Sequence, residues 1–408
     1  MSSVVLLLVI VSDRISSAYA STGPSAPAFV PTPSGRGTID LITSCLFTLW
    51  PCVWTALHLN VPSPSLREWR IGLRRLGCAV HATIFPEYIL SAALSQLMDA
   101  RKIAKLQNSE DAAKLRQGAL LNTHHPSCPT TSSHEIKEKW TVEHGFFAVM
   151  GGFALCSKET EGIAKSVTSS GAEKLAQLGL LPDVSSKTIR QRSKSGQLAK
   201  GIVCLQVFWF FMQVIARKVF GLPITLLELN TIAHVICAIA LYGIWWYKPQ
   251  DASEQVIIDI TECTTCNELL RASGAFDTDS PDFANEVYFR PAQSWNRLEI
   301  YSLMAISLVY GGIHALAWNA EFPSVVEENL WRASACTIIF VCFWFGFTAR
   351  SLIEGTANKI CDILSAFLLW LYVTAQIFLI VEAFISIRAL PIGAYDTVQW
   401  SNAFPHIG

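Results

Sequence analysis

Charge is scarce in this chain. Asp, Glu, Lys and Arg make up 15% of its 408 residues, against about a quarter in a soluble globular protein. The deficit is uneven: long blocks carry almost no charge, and the stretches between them carry the rest. That distribution excludes an ordinary soluble fold, which scatters charge over its whole surface. A net charge of −1 removes any global basic field, so no nucleic-acid partner is expected. Catalytic signatures are missing too. There is no P-loop, no G-x-G-x-x-G, no H-E-x-x-H, no G-x-S-x-G and no paired Asp-rich motif of a prenyl transferase. No Asn-x-Ser/Thr sequon and no internal repeat occurs.

The twelve cysteines form no secreted disulfide pattern. Cys45, Cys52, Cys78, Cys204, Cys237, Cys336 and Cys342 sit inside apolar runs and read as small hydrophobes. Cys263-Thr264-Thr265-Cys266 is a lone C-x-x-C, read as a lumenal disulfide or two free thiols. His124, His125, Cys128 and His134 fit no standard zinc spacing. No metal site is expected, and the sequence names no cofactor.

What the chain does have is apolar length. Seven blocks read as membrane-spanning helices, over 38–57, 76–98, 201–220, 222–247, 300–320, 333–349 and 363–387. A hydrocarbon core of about 30 Å needs roughly 20 helical residues. The fold class is therefore an all-α polytopic bundle, with the lipid bilayer as its surroundings. Thirteen Trp and 22 Phe suit side chains that meet lipid and its interfaces. The apolar segment 144–156 is too short to span and reads as re-entrant or interfacial. Residues 99–200 read as a long polar loop, with an amphipathic helix from Asp99 to Leu121. Residues 248–298 form an acidic loop and 388–408 a tail.

Residues 1–20 combine an eight-residue apolar run with Ala18-Tyr19-Ala20, the pattern of a signal peptide, although no Lys or Arg precedes the run. Residues 21–37 are a Ser/Pro/Gly-rich linker. The short loop 58–75 carries Arg67, Arg70, Arg74 and Arg75 against Glu68, which marks it as cytosolic. With seven spans, this places the N-terminus in the lumen or outside and the C-terminus in the cytosol. The expected location is a membrane of the secretory pathway or the cell surface.

Charges at bilayer depth are expensive and usually mark a site. Glu87, Glu228 and His314 are the candidate acid–base groups. His81, His144, His234, Trp318 and Asn319 are candidate binding groups. Glu382 lies near the end of its block and can snorkel to the interface. Glu87 follows Pro86, which frees a carbonyl one turn earlier and kinks the helix.

Several stretches together resemble a large family of uncharacterised fungal multi-pass membrane proteins. They are Gly37-Thr38 with Cys45, Cys52 and His58-Leu59-Asn60-Val61-Pro62; Phe85-Pro86-Glu87; Trp140 through Ala148 with Met150-Gly151-Gly152-Phe153; Gly221-Leu222-Pro223-Ile224-Thr225 with Trp245-Trp246-Tyr247-Lys248-Pro249; and Ile313-His314 through Asn319 with Leu330-Trp331-Arg332. The resemblance covers most of 37–385. It implies a multi-pass topology and no activity. Three function classes stay open. One is an enzyme acting on a lipid or isoprenoid-like substrate, and another is a transporter or receptor with an intramembrane His/Glu pocket. The third is a scaffold that needs no pocket. Convergence of Glu87, Glu228 and His314 on one site would favour the first two.

Overall fold

A computed structural model describes residues 27, 29–31, 36–62, 67–110, 138–156, 165–178, 180–193, 197–252, 254–261, 267–268, 283–284, 297–353 and 359–398. The signal-peptide segment and most of the 21–37 linker lie outside these residues. So do the amphipathic stretch beyond 110, the His124 to His134 cluster, Cys263 and Cys266.

The elements run α1 (Thr38–Ala56), α2 (Glu68–Ile84), α3 (Pro86–Gln107), α4 (Val142–Val149), β1 (Phe153–Cys156), β2 (Lys165–Val167), α5 (Ser169–Gln177), α6 (Ser186–Arg192), α7 (Gln197–Val219) and α8 (Leu226–Ile244). They continue with β3 (Val256–Asp259), β4 (Phe283–Ala284), α9 (Arg297–Ala315), α10 (Val325–Ile353) and α11 (Lys359–Ile385). Two short 3-10 turns follow α11, at Ser386–Ala389 and Ile392–Tyr395.

Five helices among the described residues are long and apolar enough to cross a membrane: α1, α7, α8, α10 and α11. The apolar part of α9, Ile300–Ala315, is shorter. The expected span over 76–98 is not one rod. It is the α2–α3 pair, bent by 112° at Phe85. The cause is local. Pro86 has no N–H to continue the ladder and clashes with a helical residue before it. Phe85 accordingly leaves the helical region (φ −129°, ψ 60°), and Pro86 starts α3 at the first-turn position it favours.

Both limbs of this bend return to the same end of the bundle. Arg75 on α2 pairs with Asp251 at 2.8 Å, and Gln96 on α3 accepts from Lys248 Nζ at 2.8 Å. From Arg75 to Ile84 the helix rises about 14 Å, half of a ~30 Å hydrocarbon core. The tip of the hairpin, Thr83 to Glu87, therefore sits at mid-depth of the bundle. The 68–107 pair is thus a broken span or a re-entrant loop.

Residues 144–156 form most of α4 and all of β1. The strand order is β3-β1-β2-β4, with β1 parallel to β3 and the other pairs antiparallel. Phe146, Phe147, Phe153, Leu155, Val167 and Leu175 are buried in a core continuous with that of α1, α3 and α8. The polar stretches 99–200 and 248–298 thus contribute to a small α/β layer at one end of the bundle, a correction to the purely helical reading. Gly145 makes this layer possible. A Cβ there would overlap the backbone of Ala100 on α3, so the two helices touch only because residue 145 has no side chain.

At the other end the two terminal segments meet. Arg36 N–H donates to the Tyr395 carbonyl at 3.0 Å, and Thr38 Oγ1 donates to the Tyr395 hydroxyl at 3.3 Å. The stretches that precede α1 and follow α11 therefore lie at one end of the bundle. α9, α10 and α11 form successive antiparallel hairpins: Trp331 Nε1 donates to the His314 carbonyl (3.0 Å) and Trp344 Nε1 to Ser365 Oγ (3.0 Å). Cys45, Cys52, Cys237 and Cys342 are buried free thiols, as read, whereas Cys204 and Cys336 face outward.

Candidate functional site

The hairpin tip carries the buried carboxylate. Glu87 is fully buried in the first turn of α3, where the partial positive charge of a helix N-terminus favours an anion. Its Oε1 accepts from the Tyr372 hydroxyl and from Gln376 Nε2, one turn apart on α11. Its Oε2 and the Gln376 Oε1 have no hydrogen-bond partner although both are buried. Leaving a buried acceptor unmet costs about 1–3 kcal/mol, so this centre holds spare acceptor capacity.

His234 stands beside the same tip, on the middle turn of α8. Its Nε2 lies 2.7 Å from the Thr83 carbonyl, and its Nδ1 lies 2.8 Å from the Asn230 carbonyl. Thr83 is in the last turn of α2, where carbonyls lack helical donors. Both neighbours are pure acceptors. A neutral imidazole has one N–H, so it can satisfy only one of them, whereas a doubly protonated ring satisfies both. Tyr310 on α9 closes the group, with its hydroxyl 3.4 Å from His234 Nε2. One turn further along α9, His314 Nδ1 lies 2.9 Å from the Tyr310 carbonyl, and its Nε2 lies 3.2 Å from Asn230 Oδ1. Glu87, His234 and His314 are each no more than 1% exposed.

Glu228 does not join them. Its Oε2 accepts from the Thr225 N–H (2.9 Å) and hydroxyl (3.0 Å), a capping box that starts α8. Its Oε1 pairs with Arg36 at 2.7 Å and faces Arg217 at 3.9 Å. Arg217 in turn donates to the Pro223, Gly393, Ala394 and Asp396 carbonyls. This is a clamp that ties the N-terminal segment, the α7–α8 turn and the C-terminal segment together.

The other predicted residues also separate. His81 is exposed, with its ring against Phe85 and Tyr88. His144 is buried and caps α4 through Thr141 (3.1 Å) while reaching the Val184 carbonyl (2.9 Å). Trp318 is exposed and covered by Arg332, and Asn319 is exposed. Glu382 does not snorkel: it is buried, with Oε1 unpartnered. Sequence reasoning missed Tyr372, Gln376, Tyr310 and Asn230. The signal for the first two was present, as polar residues four apart on an otherwise apolar helix.

A second polar group lies at the opposite end. Lys248 is buried over the Trp245 ring (4.3 Å), donating to Gln96 Oε1 (2.8 Å) and Asn60 Oδ1 (3.2 Å). His58 Nδ1 meets the Lys248 carbonyl at 3.1 Å. Burial, then the neighbouring Arg74 cation, holds the Lys248 amine well below its ordinary range. Burial, then the Lys200 and Lys248 cations, pushes the His58 ring down to about 3.

A family model matches residues 5–278 and 295–407. The chain belongs to that family, a family of unknown function (DUF8562). No curated protein and no solved structure matches the chain. The residues of the hairpin tip and its partners on α8, α9 and α11 all fall within the stretches matched by DUF8562.

Proposed function

We propose that this DUF8562 member is a membrane transport protein that loads and releases a proton at the tip of its re-entrant hairpin. The observation that carries this reading is the placement of His234 between two carbonyl oxygens, one of them at the tip of the hairpin whose second limb begins with a buried carboxylate that has an unmet oxygen. Such a group has one more protonation site than its neutral forms can fill. Broken helices at bilayer depth are tolerated where protein buries the loose backbone, and they recur at ion and substrate sites of transporters. The charged and titratable groups facing the centre are Cys237 and His234 from α8, Tyr310 and His314 from α9, Cys342 from α10 and Tyr372 from α11. An enzyme acting on a lipid would use the same groups, but helix packing encloses every one of them.

The same reading sets the topology. Arg36 and Tyr395, which flank the bundle, then share the lumenal or outer side, and the α/β layer with the arginines of 67–75 takes the cytosolic side, as the positive-inside rule requires. The test is flux. Purified full-length protein in liposomes, with an internal pH dye and a potassium diffusion potential, should move protons. Glu87→Gln and His234→Gln should each lower that flux at least tenfold while the melting temperature stays within a few degrees. Flux in the wild type equal to that of empty liposomes, or unchanged flux in both variants, overturns the reading.

A further inference from the structure

We propose that a groove between α1 and α2, at the end of the bundle that carries the α/β layer, holds one acyl chain of an anionic phospholipid. Because α2 leans away from the bundle to form one limb of the hairpin, it leaves a slot of about 750 Å³ against α1. Trp50, Trp54 and Thr55 line one wall, and Trp69, Leu73 and Leu76 the other. The lining is almost wholly apolar. Trp69 and Leu73 are more than half exposed, so no described protein segment covers the wall they form.

The outer end of the slot is cationic. Arg67 and Arg70 are exposed at the start of α2, and Arg70 lies 5.4 Å over the Trp69 ring. Arg75 covers the Trp54 ring at 4.8 Å while pairing with Asp251. That ion pair marks the polar boundary, so the tryptophans sit where aromatic side chains meet headgroups. A chain lying along Trp54 and Leu76 brings its phosphate to Arg67 and Arg70, where Glu68 is the only local acid on α2. Interfacial arginines favour anionic over zwitterionic headgroups. Gly72 keeps the slot open: a Cβ there meets nothing within 4 Å.

Native mass spectrometry of the full-length protein in neutral detergent tests this. Phosphatidylserine and phosphatidylcholine of identical chains are added at equal concentration. The wild type should retain one phosphatidylserine with a preference on the order of tenfold. Gly72→Leu, whose Cβ has open space, should fill the slot and lower retention of both lipids. Gly77→Leu, equally open but outside the lining, should not. Arg67→Gln with Arg70→Gln should erase the headgroup preference and leave a chain bound. Equal retention of the two lipids by the wild type, or the same loss from Gly72→Leu and Gly77→Leu, would show surrounding bulk lipid only and overturn the proposal. Proton flux is not read here, so this result stands or falls apart from the transport reading.

Discussion

The Arg36 amide donates to the Tyr395 carbonyl at 3.0 Å, joining the beginning of the described chain to its end. The proposed topology accordingly has an even number of crossings. In it α1, α7, α8, α9, α10 and α11 supply six, and the α2–α3 hairpin enters and leaves by one face. Epitope tags placed at residue 27 and after residue 398 should therefore be reached by antibody from the same side of sealed vesicles. Labelling of one tag without the other would contradict the six-crossing path.

The clamp at Glu228 is expected to matter for stability, not for flux. Glu228→Gln leaves two guanidiniums near one another in a buried site, and breaking a buried pair from one side costs about 3–5 kcal/mol. Thermal melting in detergent should show a drop of many degrees. A melting temperature unchanged from wild type would mean that Arg36 and Arg217 are satisfied without the carboxylate.

Acid should loosen the opposite end. The His58 ring is held at about 3 when folded, against about 6.5 when unfolded. Between these values the unfolded chain binds a proton that the folded chain does not. Stability is thus full above pH 6.5 and falls as the pH drops toward 3, by about 1.4 kcal/mol at pH 5.5. His58→Gln should flatten the melting temperature between pH 7 and 5.5. An equally steep profile in that variant would assign the acid sensitivity elsewhere.

Gly145→Ala places a methyl group into the Ala100 backbone. Overpacking of this kind costs about 1–3 kcal/mol, and here neither backbone can move freely. Limited proteolysis should reach the α4–β1 region faster than in wild type, while the melting of the α9–α11 hairpins is unaffected. Equal cleavage rates would count against the close approach of α3 and α4.

Much of the bundle was legible in the sequence because hydropathy reports length. The expected spans 38–57, 201–220, 222–247 and 363–387 match α1, α7, α8 and α11 within a few residues. The bend at Pro86 was legible as a kink, but not as a reversal. Composition cannot say whether a helix after proline continues or folds back. That is decided by Asp251 and Lys248, which lie far along the chain and draw Arg75 and Gln96 to one end. Glu228 was grouped with Glu87 because both are acids in apolar blocks, and only distance separates a clamp from a centre. The sheet gave no signal, since β1 and β3 are four residues each and pair across a long interval of chain.

The reversal at Phe85 also constrains how the protein is made. The segment 68–107 is long and apolar enough to enter a membrane as a single unit, yet it comes to rest bent by 112°. Glu87 meets the Tyr372 hydroxyl only after 285 further residues have been synthesised. Until α11 arrives, a carboxylate waits at the tip of an unfinished hairpin. The tip of the hairpin is therefore completed only when α11 docks, and a chain truncated upstream of Tyr372 would leave Glu87 without either of its α11 donors.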